Sequence, residues 1–310
     1  DFADPMAQIR NRFKDLVSSL GVSLDISGLL DQLERDIGSG ATPDYVASRG
    51  EYLTGRIMAV LLDGTFVDAA DGIRFAPDGT LDPASYDLLK GLLSGPGLYV
   101  IPGFYGAEQD GQVKTFSRGG SDISGAIVAR AVGASVYENW TDVSGLLRAD
   151  PRIVDQPKPV AQITYREIRE LSYMGASVFH DEAMFPVRQA SIPIHIRNTN
   201  APDEAGTQIL PDRELTDELI VGVAGRPHFT MLHIEKALLN LERGFGRRVL
   251  DAVASHEISY ENTPCGIDSM SVIIRDEELD GKGDALLRDI RRELEPDRAV
   301  LIPGLARIAT

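Results

Sequence analysis

The sequence predicts an α/β protein in which a mostly parallel sheet sandwiched by helices is followed by a smaller ferredoxin-like unit of βαββαβ order. Two observations carry this. From residue 98 onward, apolar strand-like runs alternate with glycine-ended helical runs: LYVIPG, VKTFSRGGSD, ISGAIVARAVG, then ASVYENW. That alternation is the pattern of parallel architecture, with ligands gathered at the C-terminal ends of strands. Beyond residue 215 the texture changes to ELIVGVAGRPHFTMLHIEK, RRVLDAVASHE, ISYENTP, GIDSMSVIIRD, GDALLRDIRREL and RAVLIPG. Read as strand, helix, two strands, helix and strand, this is a split βαβ unit.

The other elements follow in order. PMAQIRNRFKDLVSSLG and LLDQLERDIG carry apolar residues at helical spacing and end in Gly. TPDYVASRGEYLTGRIMAVLLDG adds Thr42 as a cap and Pro43 in the first turn. TFVDA and GLYVIPGF read as short buried strands with the helix SYDLLKGLLSG between them. ITYREIRELSYMG and DEAMFPVRQA read as helices, and IPIHIRNT as another buried strand. NAPDEAGTQILPDRELTDE, rich in Pro, Asp and Glu, is the expected linker, which divides the chain into residues 1–214 and 215–310.

Composition narrows the function. The 310 residues hold 47 acidic against 31 basic side chains, a net charge of −16. Such a chain repels nucleic-acid backbones and anionic membranes, so neither is an expected partner. The single Cys265 rules out an internal disulfide, and five scattered histidines offer no metal-ligand spacing, so no protein-built metal site is expected. No run is apolar enough for a membrane span and no leader pattern opens the chain, which points to a cytoplasmic location.

Three stretches bring chemistry. In FSRGGSD, adjacent glycines let backbone N–H groups approach a ligand, the next helix start attracts negative charge, and Arg118 adds a planar cationic fork. A plain strand-to-helix turn with Ser121 or Asp122 as N-cap is the other reading. SRGE sets Ser48, Arg49 and Glu51 in an otherwise apolar helical pattern, either as a surface face or as a polar group with a task. WTDVSGLLRADPR puts Thr141 and Asp142 at a strand end with Arg152 downstream, placed for a nucleotide's polar edges and phosphates, or forming only a surface loop. Neither a P-loop nor a GxGxxG pattern occurs.

Taken jointly and in order, SRGE, PGFYG, SRGGSD, WTDVSGLLRADPR, ELSYMGASVFHDEAMFPV and IPIHIRNT with a following GT resemble the aspartate kinase family, part of the amino acid kinase superfamily, and the C-terminal unit resembles an ACT regulatory module. The resemblance implies the amino-acid-kinase fold and transfer of the γ-phosphoryl of ATP to the side-chain carboxylate of L-aspartate. The product is 4-phospho-L-aspartate, on the way to lysine, threonine, methionine and diaminopimelate. It implies Mg²⁺ held mainly by the ATP phosphates, feedback by lysine or threonine at the ACT module, and a homo-oligomer formed through ACT modules.

By motif position, the resemblance gives Glu51 the substrate α-amino group and Arg118 the α-carboxylate. Phe104 and Ser121 line the aspartate pocket, and Asp122 stands near the reacting groups. Gly119, Gly120, Thr141, Asp142 and Arg152 contact ATP. Gly244, Phe245, Gly246, Ser259, Tyr260 and Glu261 meet the effector. The chain departs from the family's pattern in three places. A KFGG-type strand with its lysine is missing, and Lys14, in a helical pattern, does not replace it. Leu147 stands where many members have tyrosine, and Ser177 where GAKVLHP has lysine. The expectation is a chain truncated at both ends, with GLARIAT opening a second ACT unit. A glutamate or N-acetylglutamate kinase, and a non-catalytic ACT-type amino-acid sensor, stay open as alternatives.

Overall fold

Three amphipathic helices open the chain in the computed structural model, which describes residues 3–175, 181–214 and 220–310, without the side chains of 3 and 181–183. Ser177 and residues 215–219 of the expected linker lie outside the described residues. α1 (Ala3–Leu20), α2 (Ile26–Gly38) and α3 (Pro43–Leu61) bury Met6, Ile26, Leu30, Leu33, Leu53 and Ile57 in one cluster. The Asp25 carboxylate accepts from Gly28 N–H at the start of α2, and Thr42 caps α3 by accepting from Tyr45 N–H at 3.2 Å.

Contacts divide the chain into two units, residues 1–172 with 177–221, and residues 173–176 with 222–310. In the first, β1 (Thr65–Phe66) and β2 (Tyr99–Val100) pair in parallel, with α4 (Ala69–Gly72) and α5 (Ala84–Leu92) between them in sequence. β3 (Tyr105–Ala107) and β4 (Val113–Thr115) form an antiparallel hairpin, and α6 (Gly120–Val132) follows. β5 (Tyr137–Thr141), β6 (Gln162–Thr164), α7 (Tyr165–Tyr173), α8 (Asp181–Gln189), β7 (Ile194–Asn198) and β8 (Thr207–Leu210) complete the unit. Its larger sheet runs β5-β7-β8-β6, parallel except where β7 meets β8, and α6 packs against both α5 and α8.

β8 lies inside the expected linker. Thr207 and Ile209 point inward and are fully buried while Gln208 is exposed. The flanking prolines and carboxylates hid this short alternation. The buried Thr207 hydroxyl is satisfied at both ends, accepting from Leu146 N–H at 2.8 Å and donating to the Val160 carbonyl at 2.6 Å.

In the second unit, β9 (Ala224–Glu235) lies between β10 (Ser269–Arg275) and β11 (Arg298–Ala309), antiparallel to both. α9 (Phe245–Ser255), the short α10 (Asp276–Leu279) and α11 (Gly283–Leu294) connect them, and Phe245, Val249, Leu286 and Ile290 join Leu232, Ile234 and Val272 in the core. ISYENTP, expected as a full strand, makes only isolated bridges, Asn262 with Ile273 and Cys265 with Met270. Pro264 has no N–H to donate, which breaks a continuous ladder. GLARIAT does not leave this sheet: it continues β11 past a register shift between Ile302 and Leu305 and pairs back to Ala224 of β9.

α7 opens with a capping box. Glu167 accepts from Thr164 N–H at 2.8 Å, while the Thr164 hydroxyl accepts from Glu167 N–H at 3.2 Å. Arg213 holds the same carboxylate at 2.7 Å, and its hydrogen bond takes Glu167 from 4.5 down to about 2 against the opposing effect of burial. A depressed carboxylate stabilises the fold above its unfolded value and loses that contribution as pH falls through the folded one. Glu167→Gln is therefore expected to cost about 1 kcal/mol at neutral pH, discounted for the partial exposure of the pair. In urea unfolding at a series of pH values, the difference from wild type should shrink from about pH 4.5 toward about 2. A difference constant over that range would refute the linkage.

Candidate active site

The FSRGGSD stretch folds as a left-handed turn into α6. Gly119 is the N-cap with φ +57°, and no side chain caps the helix, so neither Ser121 nor Asp122 plays that part. The first N–H groups of α6 therefore carry no side-chain acceptor, which suits an anion. A Cβ on Gly120 would lie 2.7 Å from Phe104 Cβ and 2.9 Å from Phe116 Cβ, and one on Gly103 would lie 3.1 Å from Ser121 Oγ. The second glycine is thus required by the loop it packs against.

That loop, between β2 and β3, is fastened to the turn by the Ser124 hydroxyl and by one main-chain bond. Phe104 N–H donates to Ser124 Oγ at 3.0 Å, Ser124 Oγ donates to the Gly120 carbonyl at 2.8 Å, and Phe116 N–H donates to the Phe104 carbonyl at 2.9 Å. Phe104 itself sits at φ +59°, a strained conformation for an aromatic residue that costs about 1–3 kcal/mol. Such strain marks a position that its surroundings over-determine.

α3 is tied to the same assembly. The Asp44 carboxylate accepts from Thr115 N–H and Oγ at 3.3 and 3.2 Å. Ser48 and Arg49 are buried, so SRGE is not a surface face at those two positions. The Arg49 guanidinium lies 4.4, 4.5 and 5.4 Å from the ring centres of Tyr45, Tyr52 and Tyr105, and donates to Ser48 Oγ at about 3.0 Å. Tyr105 follows Phe104, so this stack fixes α3 against the strained loop. Glu51, Arg118 and Ser121 are exposed and make no hydrogen bond or ion pair among the described residues.

Asp122 faces β5. Its Oδ1 accepts from Asn139 Nδ2 at 2.8 Å, and Tyr137 Oη donates to the Asp122 carbonyl at 3.2 Å. Burial pushes the Tyr137 hydroxyl up to about 12; the Asn139 hydrogen bond opposes this and the Asp122 charge adds to it. Tyr137 and Asn139 escaped the sequence reading; the available signal was an asparagine at a buried strand position just before WTD. Thr141 ends β5, its carbonyl accepting from Thr199 N–H at 2.8 Å and its hydroxyl bonded to Asp142 at 3.3 Å. Arg152 stands on an exposed loop paired with Asp150 at 2.6 Å, and makes no contact with Thr141 or Asp142.

In the second unit, Gly244 has φ +75° and opens α9 without a side-chain cap. Phe245 is a core side chain, 2% exposed. Ser259 N–H donates to Glu278 at 3.2 Å, Tyr260 is exposed, and the buried Glu261 carboxylate is engaged by Arg275 at 2.6 Å and by Arg307. Among the expected effector residues, the Gly244 carbonyl accepts from Arg248 N–H at 3.1 Å and Phe245 N–H donates to the Glu242 carbonyl at 3.3 Å, while of the side chains Phe245 is in the core and Glu261 is held by two arginines.

Residues 2–198 match the Amino acid kinase family. Aspartokinase 3 of Bacillus subtilis is 43% identical over 227 residues, covering 73% of this chain and 50% of its own. Lysine-sensitive aspartokinase 3 of Escherichia coli is 31% identical over 215 residues, 69% and 48% respectively. Among solved structures, Clostridium acetobutylicum aspartate kinase is similar at TM-score 0.84 and 46% identity, over 99% of this chain and 70% of that one. The chain belongs to the aspartate kinase family.

Escherichia coli aspartokinase III, solved in complex with aspartate and ADP, shares 26% identity and a TM-score of 0.64 over 98% of this chain and 73% of that one. The present chain spans about half the length of the curated relatives it matches. The amino-acid-kinase fold accounts for the turn, the parallel β5–β7 pair and the α6 layer as one arrangement. Within it, Asn139→Ala leaves the Asp122 carboxylate without its donor and should cost about 1–3 kcal/mol in urea unfolding. Wild-type stability in this variant would show that water replaces the bond.

Proposed function

We propose that this chain carries the substrate-binding face of an aspartate kinase, which phosphorylates the side-chain carboxylate of L-aspartate with ATP to give 4-phospho-L-aspartate and ADP. The observation that supports it most is the uncapped α6 turn, with exposed Arg118 and Ser121 beside a braced Asp122. Arg118 takes the substrate α-carboxylate as a two-pronged donor, and Glu51 takes the α-amino group. Phe104 and Ser121 border the pocket.

The substrate's side-chain carboxylate, with a pKa near ~3.9, is ionised at neutral pH, so no general base is needed. A carboxylate oxygen forms the new bond to the γ-phosphorus as the bond to the ADP oxygen breaks. The protein's share is positioning and charge neutralisation. Arg118 and the α6 N–H groups supply positive potential, and Asp122, fixed by Asn139, orders the groups around the transfer. Thr141, Asp142, Gly119, Gly120 and Arg152 serve the nucleotide. Mg²⁺ would offset phosphate charge when bound. The ion is read as carried by the ATP phosphates.

The second unit is read as an ACT module that takes an amino-acid effector, lysine or threonine, at the Gly244–Gly246 main chain, with assembly of copies through the same unit. Escherichia coli aspartokinase III has been solved with lysine and aspartate, which supports this assignment. Among the described residues no helix is long and apolar enough to cross a membrane, and the proposed place of action is the cytoplasm.

Trapping the acyl phosphate with hydroxylamine in the complete polypeptide tests the reaction: hydroxamate should form with ATP and aspartate, and formation with glutamate or N-acetylglutamate instead would overturn it. In that assay Arg118→Ala should raise the aspartate KM by roughly 10- to 150-fold, the size of a lost charge-assisted contact. Asp122→Ala should lower kcat with a smaller change in KM. An unchanged KM in the arginine variant removes Arg118 from the pocket.

A further inference from the structure

A groove of about 1160 Å³ runs along the first unit behind the FSRGGSD turn. Phe116 and Ser117 reach it from that turn, but none of Phe104, Arg118, Ser121, Asp122, Thr141 and Asp142 lines it. α6 lies between the two: Ile123, Ile127 and Arg130 face the groove, while Asp122 and Gly125 face Asn139 and Tyr137 of β5. Among the described residues its lining holds four cations, Lys114, Arg130, Arg169 and Arg188, and no acidic side chain. In a chain with 47 acidic and 31 basic residues, that is a local reversal of sign.

The cations come from β4, α6, α7 and α8, and three of them have no carboxylate partner among the described residues. Lys114 is paired with Glu108 at 2.7 Å. Arg130 stacks on Tyr86 at 4.1 Å and donates to the amide oxygen of Gln189. Arg169 and Arg188 are exposed, and their side chains make no hydrogen bond or ion pair among the described residues. Between the charges the wall is aromatic and apolar, with Tyr86, Phe116 and the largely exposed Phe185. Guanidinium groups lining one groove match the planar oxygens of carboxylate or phosphate, and aromatic walls match a flat ring.

We propose that this groove is a second ligand site, which takes a planar aromatic anion bearing a carboxylate or a phosphate. The ring lies against Tyr86, Phe116 and Phe185, and the anionic group lies between Arg169 and Arg188. Occupancy is transmitted to the helix whose first turn carries Ser121 and Asp122, although the site itself is defined by binding and stands apart from the phosphoryl-transfer reading.

The test uses the whole chain and the fluorescent aromatic sulfonate 8-anilinonaphthalene-1-sulfonate as probe, competed with AMP, with phenylpyruvate and with neutral benzyl alcohol. The expected result is saturable probe binding at one site, displaced by an anion and not by the alcohol. Displacement by AMP assigns the phosphate class and displacement by phenylpyruvate the carboxylate class. The double variant Arg169→Gln with Arg188→Gln should raise the probe Kd by at least about tenfold, with an unchanged melting temperature, since neither side chain holds the fold together. Each single variant should show part of that loss, which guards against a double variant that fails to fold. Equal probe affinity in wild type and variants, displacement by the alcohol, or displacement by neither anion overturns the proposal. So does sedimentation showing that the groove is covered by a second copy that the double variant releases.

Discussion

The active face depends on one close approach, the Gly120 backbone lying against Phe104 and Phe116 with no room for a Cβ. Because that approach is possible, Phe104 N–H reaches Ser124, Phe116 N–H reaches the Phe104 carbonyl, and Gly103 lies over Ser121. Two loops far apart in sequence then behave as one body at the start of α6. The same geometry leaves that helix without a side-chain cap, so one pair of glycines provides both the close packing and the open helix start on which the proposed substrate reading rests.

A second layer holds this body in place. Asn139 and Tyr137 reach from β5 to Asp122, and the raised pKa of Tyr137 keeps its hydroxyl a neutral donor across the physiological range. On the other side Asp44 fixes β4, and Arg49 joins α3 to Tyr105. Glu51, Arg118 and Ser121, proposed to touch substrate, are thereby left exposed while the backbone beneath the α6 turn is fixed, the division expected of a preorganised site.

Elements with long apolar periodicity were legible: α1, α2, α3 with its Thr42 cap, α6 and β5 stand where spacing puts them. β8 was not, because only two inward residues, Thr207 and Ile209, carry its signal between charged flanks. At the site, Arg118 to Asp122 were legible as a turn into a helix, but the reason for Gly120 was not, since it resides in a side chain 16 positions earlier, Phe104. Arg49 was ambiguous for a related reason: three tyrosines bury it, and two of them, Tyr45 and Tyr52, are ordinary helix neighbours in sequence. Phe245 was legible as part of a turn, while its burial depends on strands that come before and after it.

The Arg49 stack has an electrostatic consequence of its own. Most buried cations are neutralised by a carboxylate, which cancels their field beyond a few ångströms. Arg49 instead rests on three π faces and a hydroxyl, none of which carries a full negative charge. Its positive potential therefore survives at the Phe104 loop, shielded from salt by burial. In a chain of net charge −16, this is a permanent, inward-placed source of positive potential beside the Phe104 loop.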